Sequence, residues 1–60
     1  MKLEDWMRQK DITDEGLSNL LGISRPAVTL YRNGKRIPKR EIMESLRQVT
    51  KGKVTANDFY

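Results

Sequence analysis

Residues 14–34 read DEGLSNLLGISRPAVTLYRNG, and the punctuation of this stretch decides the fold. Leu17, Leu20 and Leu21 fall at the i, i+3, i+4 spacing of one helical face. Gly22 follows, the residue type best able to close a helix in the left-handed conformation. Ser24 is a good N-cap, and Pro26 lies in a first turn, where its missing N–H costs little. Asn33-Gly34 then stops the second segment. On the upstream side Thr13 or Asp14 can cap the first helix, and Asp14 and Glu15 suit the positive end of its dipole. The stretch therefore predicts two short helices, the second from about Arg25 to Asn33, joined by a turn of about three or four residues.

Working outward, Leu3, Trp6 and Met7 predict a helix over roughly residues 2–10. Beyond Gly34, a polar loop of Lys35, Arg36 and Ile37 leads to Pro38, which the spacing takes as the start of a fourth helix. Ile42, Met43, Leu46 and Val49 give that helix an apolar stripe, and Gly52 closes it. Thr55-Ala56-Asn57-Asp58 has the form of a capping box with Asp in the acid's place. It predicts a short last turn that docks Phe59; a strand over residues 53–60, pairing across a dimer, is the alternative. The expectation is all-α: one domain over residues 1–60, a small bundle of four or five helices, with a helix-turn-helix at about residues 14–33.

The chain contains neither Cys nor His, so disulfide staples and a conventional zinc site are excluded and no cofactor is implied. Folding must rest on apolar packing, helped by a second subunit if one binds. No apolar run approaches the roughly 20 residues of a membrane helix. The start, Met1-Lys2-Leu3-Glu4-Asp5, is unlike a signal peptide, so the expected location is cytoplasmic. Net charge is +4, unevenly placed. Residues 1–15 hold three cations against five acids, and residues 41–60 three against three. Residues 16–40 hold Arg25, Arg32, Lys35, Arg36, Lys39 and Arg40 with no acid at all. Such a patch attracts a polyanion, of which nucleic acid is the commonest; a solvated basic surface without a partner is the other reading.

At about 100° per residue, Ala27, Val28 and Tyr31 share one side of the third helix and should face the core. Arg25, Pro26, Thr29 and Asn33 lie opposite, with Leu30 on the flank. A guanidinium matches the O6 and N7 acceptors of guanine, which gives Arg25 a base-reading role. Thr29, one turn on, can hydrogen-bond a base or set its methyl against thymine, and Leu30 can also touch a thymine methyl. Ser24 can contact a base, although capping alone explains it. Arg32, Asn33, Lys35, Arg36, Lys39 and Arg40 flank the helix end and the next loop, where they can contact phosphates on either side of a groove.

Leu17-Ser18-Asn19-Leu20-Leu21-Gly22-Ile23-Ser24-Arg25-Pro26-Ala27-Val28 resembles the signature of the Cro/phage-repressor helix-turn-helix family. Asn33-Gly34-Lys35-Arg36-Ile37-Pro38 is similar to the loop after that family's recognition helix, and residues 13–50 are covered. The resemblance implies a lambda-repressor-like fold and a dimer bound to a double-stranded DNA operator. It implies base-edge contacts at Ser24, Arg25, Pro26, Thr29 and Leu30, and a phosphate contact at Asn33. Three residues depart from the pattern. Ser18 stands where Ala is usual. Asp14 stands where many members carry a phosphate-touching Gln, and a carboxylate there repels DNA. Pro26 replaces a base-bonding residue and can make apolar contact only.

Two function classes follow. The first is a transcriptional regulator, in the manner of a Cro-like phage repressor, that occludes a promoter with two recognition helices about 34 Å apart. Val54, Phe59 and Tyr60 are then candidates for the dimer interface, core closure being their other role. The second is a protein-interaction module on the same fold, such as an antitoxin or a transcription-complex component. An enzyme is not expected, because the acids sit where capping explains them and so short a chain can hardly form a deep pocket.

Overall fold

The computed structural model describes residues 1–59, and among them every regular element is helical. Four α-helices follow one another: α1 (Leu3–Lys10), α2 (Asp14–Leu21), α3 (Arg25–Arg32) and α4 (Arg40–Val49). A 3₁₀ turn, Ala56–Phe59, closes the described chain, so the helical reading of the tail holds in 3₁₀ form and the strand alternative does not. No described helix is long and apolar enough to cross a membrane.

Local chemistry sets most of the boundaries. Thr13, rather than Asp14, caps α2: its Oγ1 accepts the Gly16 N–H at 3.0 Å. Gly22 then adopts φ 69°, and the next amide, Ile23 N–H, returns to the Ser18 carbonyl at 3.0 Å. The end of α3 repeats this device, with Gly34 at φ 75° and Lys35 N–H on the Leu30 carbonyl at 2.9 Å. A side chain at either position would meet left-handed strain of about 1 kcal/mol or more. Ser24 caps α3 through a long bond, Oγ accepting the Ala27 N–H at 3.4 Å. In α4 the expected start at Pro38 is corrected. Lys39 is extended and acts as N-cap, the helix begins at Arg40, and the Pro38 ring is buried two residues ahead of it. The proline anchors the incoming loop to the core instead of opening the helix.

Leu3, Trp6, Met7, Leu17, Val28, Tyr31, Leu46 and Val54 form the core. The leucines of α2 divide in a way the i, i+3, i+4 reading did not foresee. Leu17 is fully buried and Leu21 half-buried, but Leu20 is 60% exposed. Relative to Leu17, Leu21 lies about 40° and Ser18 about 100° to one side, whereas Leu20 lies about 60° to the other. The core stands on the Leu21–Ser18 side. Ser18 is buried there with its hydroxyl donated to the Glu15 carbonyl at 2.7 Å, which satisfies it within its own helix. Val54 is a second correction: buried in the core, it offers nothing to a dimer interface. Phe59 is half-buried against the same cluster, and the expectation for Tyr60 lies outside the described residues.

Met1 and Lys2 are clasped to Asp58. Asp58 accepts the Thr55 N–H at 2.9 Å, the acid's half of the capping box, but the other half is not made, because the Asp58 N–H goes to the Thr55 carbonyl at 3.0 Å and not to its hydroxyl. The same carboxylate receives the Met1 ammonium at 3.1 Å, and Lys2 Nζ donates to the Asp58 carbonyl at 2.8 Å. The Thr55 N–H bond, with the ammonium beside it, holds the Asp58 carboxyl below its ordinary value of 3.8. Between them, Thr50 is buried: its hydroxyl accepts the Val54 N–H at 3.1 Å.

Two measurements check this account. In chemical denaturation Leu17→Ala should cost about 2–5 kcal/mol, enough to unfold much of so small a domain, whereas Leu20→Ala should stay within about 0.5 kcal/mol of the parent. Equal costs would contradict the division of the leucines. Because the native Asp58 carboxyl lies below its unfolded value, its stabilisation is full above that value and shrinks as pH falls through the native one. Asp58→Asn should therefore melt lower than the parent near neutrality and converge with it in acid. A gap that widened in acid would show the sign to be wrong.

Candidate functional site

Helix α3 shows two unlike sides. Val28 and Tyr31 are buried and Ala27 half-buried, so the three residues assigned to the core lie there or at its edge. On the other side Ser24, Arg25 and Pro26 are exposed, with Thr29 and Leu30 half-buried one turn later. Asn33, Lys35, Arg36, Lys39 and Arg40 are exposed along the helix end and the following loop. Ile37, in the middle of that loop, is also exposed.

The charges here fall into two sets. Arg25, Lys35, Arg36, Lys39 and Arg40 make no ion pair among the described residues. Arg32, expected among the phosphate-binding cations, is half-buried and engaged. Its Nη2 donates to Asp14 Oδ2 at 3.2 Å, and its Nε lies 3.0 Å from Asp14 Oδ1. The Nε–H points off the line to that oxygen, so this second contact is an ion pair and not a hydrogen bond. Arg32 Nη1 also stands 3.7 Å from Glu4 Oε1, which Arg8 flanks at 3.6 Å. One guanidinium thus links α3 to α2 and, more loosely, to α1.

Thr29 completes the tie. Its hydroxyl donates to Asp14 Oδ2 at 2.6 Å, with the Arg25 carbonyl 3.3 Å away as a weaker acceptor. A hydroxyl has one hydrogen, and the shorter, charge-assisted bond takes it. What remains outward is the oxygen's accepting capacity and the methyl group. Asp14 therefore serves α2 and α3 together, and its negative charge is offset inside the protein. Nothing local pointed to this tie, because Asp14 and Arg32 are 18 residues apart and the dipole alone already explained an acid in the first turn of α2.

Among the described residues no group of three or more metal-ligating side chains gathers. Ser24, Arg25 and Pro26 stand exposed at the start of α3, with cations that make no ion pair among the described residues there and along the following loop, an arrangement that attracts anions. No protein-family model, curated protein or solved structure matches this chain.

The inter-helix tie is measurable apart from any ligand. A double-mutant cycle on Asp14 and Arg32, each changed to Ala, should give a coupling of about 1 kcal/mol, the scale of a charge-assisted, partly shielded pair. The exposed Glu4–Arg8 pair should give about 0.5 kcal/mol or less. A coupling no larger at Asp14–Arg32 than at Glu4–Arg8 would deny the tie its role.

Proposed function

We propose that α2, the turn at Gly22–Ser24 and α3 form a helix-turn-helix, and that this chain binds double-stranded DNA at specific sequences as a transcriptional regulator. The observation that carries the reading is that Arg25 on the outward side of α3, and Lys35, Arg36, Lys39 and Arg40 exposed along the chain after it, make no ion pair among the described residues. Cations left unpaired on so small a domain repel one another. A phosphate backbone turns that repulsion into attraction by releasing its counterions.

Placing α3 in the major groove sets Ser24, Arg25 and Pro26 against base edges first. Arg25 reads guanine with its fork; Ser24 shares its hydroxyl between the cap and a base; the Pro26 ring makes apolar contact. Thr29 faces the groove with a methyl and an accepting oxygen, and Leu30 touches a thymine methyl at the flank. Lys35, Arg36, Lys39 and Arg40, with Asn33, take the phosphates on either side. Arg32 is assigned a bracing role, since its guanidinium is engaged by Asp14 and Glu4. The offset charge of Asp14 removes much of the repulsion that a free carboxylate would create at the start of α2. The mechanism is that of a Cro-like repressor: two copies on a two-fold symmetric operator, their α3 helices in successive major grooves about 34 Å apart, exclude polymerase from a promoter.

The test is titration of a labelled duplex, chosen from a random pool by binding to the protein, at several salt concentrations. Affinity should fall linearly with log salt, by roughly 0.9 log units per phosphate neutralised. Arg25→Ala should cost about 1–3 kcal/mol and relax the preference at one base pair. Arg36→Ala should weaken all duplexes alike and reduce the salt slope by about 1. Affinity indifferent to salt, or an Arg25→Ala protein indistinguishable on every duplex, would sink the proposal.

A further inference from the structure

A second surface lies where no residue of α3 reaches. Trp6, Ile12, Leu20 and Val49 wall an open groove of about 600 Å³ formed by α1, the end of α2 and the chain at the end of α4. Leu20 is 60% exposed in it, more than any other large apolar residue described. Lys10, Lys51 and Lys53 line the same groove, no acid does, and none of the three makes an ion pair among the described residues.

We propose that this groove docks an acidic, amphipathic segment of a partner protein. An apolar side chain of that segment packs on Leu20 and the rim of Trp6, and its carboxylates meet the three ammonium groups. The volume lies within the range of sites that accept a few side chains of a bound helix or peptide. Two other occupants fit less well. A phosphodiester backbone would satisfy the lysines but leave the apolar wall in water. A second copy of this chain brings the wrong charges. Groove against groove sets lysine on lysine. Ile37, 46% exposed, stands among Lys35, Arg36, Lys39 and Arg40, and Met1, 42% exposed, is already engaged through its ammonium on Asp58. Like charges brought together in this way oppose association. The groove and the α3 face can be occupied together, which would let a regulator recruit or be restrained by a partner while on its site.

The test does not depend on DNA binding. The full ¹⁵N-labelled chain is titrated with a blocked peptide carrying leucine and phenylalanine at helical spacing among aspartates and glutamates. Two controls replace the acids by their amides, or the apolar residues by serine. The acidic peptide should shift the amides of Trp6, Lys10, Ile12, Leu20 and residues 49–53 and leave α3 unmoved, and each control should bind at least about tenfold more weakly. Leu20→Ser and the pair Lys10→Gln with Lys51→Asn should each weaken binding by about tenfold while thermal melts stay unchanged; the altered side chains are all exposed, so the fold survives. Four outcomes would overturn the proposal: shifts centred on residues 25–40, an amide peptide that binds as well as the acidic one, no shifts at millimolar peptide, or groove shifts that grow with protein concentration alone.

Discussion

The packing of α3 onto α2 is the constraint from which the rest follows. An isolated helix of eight residues is not stable in water, because nucleation costs more than so few hydrogen bonds return. Helix α3 exists because Leu17 and Val28 are fully buried and because Asp14 holds Thr29 and Arg32 from across the seam. The apolar contact supplies most of the stabilisation, and the polar tie fixes how α3 is turned about its axis. That rotation decides which side chains face outward, so a structural carboxylate in α2 governs what α3 presents to its surroundings.

The rest of the molecule serves this seam with little material to spare. No disulfide is available, and the core is a single cluster of eight buried apolar residues. The gap left by so small a core is closed by polar devices at the edges: the buried Thr50 hydroxyl on Val54, the Asp58 carboxylate on the Thr55 N–H, and the clasp between Asp58 and the first two residues. Against that background, Arg25, Lys35, Arg36, Lys39 and Arg40, exposed and without an ion pair among the described residues, are costly. They weaken the folded state through mutual repulsion, and an anionic partner is the physical circumstance in which they become favourable. The opposite economy holds at the groove beside Leu20, where apolar surface is left in water with cations around it.

Whatever depended on neighbours in sequence was legible beforehand. Thr13, Gly22, Ser24 and Gly34 mark helix ends by interactions that span three to five residues, and the structure shows each acting in that way. The Asp58 bond to the Thr55 N–H belongs to the same class. What failed depended on contacts distant in sequence. The apolar spacing of α2 could not say on which side of Leu17 the core stands, so Leu20 was misplaced. Val54 looked like spare apolar surface, and only its place in the core, with its N–H on the Thr50 hydroxyl, shows otherwise. Pro38 fits the start of a helix and the approach to one equally well, and the extended backbone of Lys39, with the Pro38 ring buried before it, decides for the approach. At the site, the outward and inward sides of α3 were read from its period, but the capture of Arg32 by Asp14 required α2 and α3 to be placed together first.

Under the proposed function, the outward side of α3 and the basic loop after it meet duplex DNA. The most direct measurement is a map of backbone amide shifts in the ¹⁵N-labelled chain as a short duplex bearing its selected sequence is added at physiological salt. The largest changes should fall at Arg25, Thr29 and Leu30 and through residues 33–40, with Trp6, Leu20 and Val49 unmoved. Changes centred instead on the Trp6–Leu20–Val49 groove, or none at saturating duplex, would contradict it.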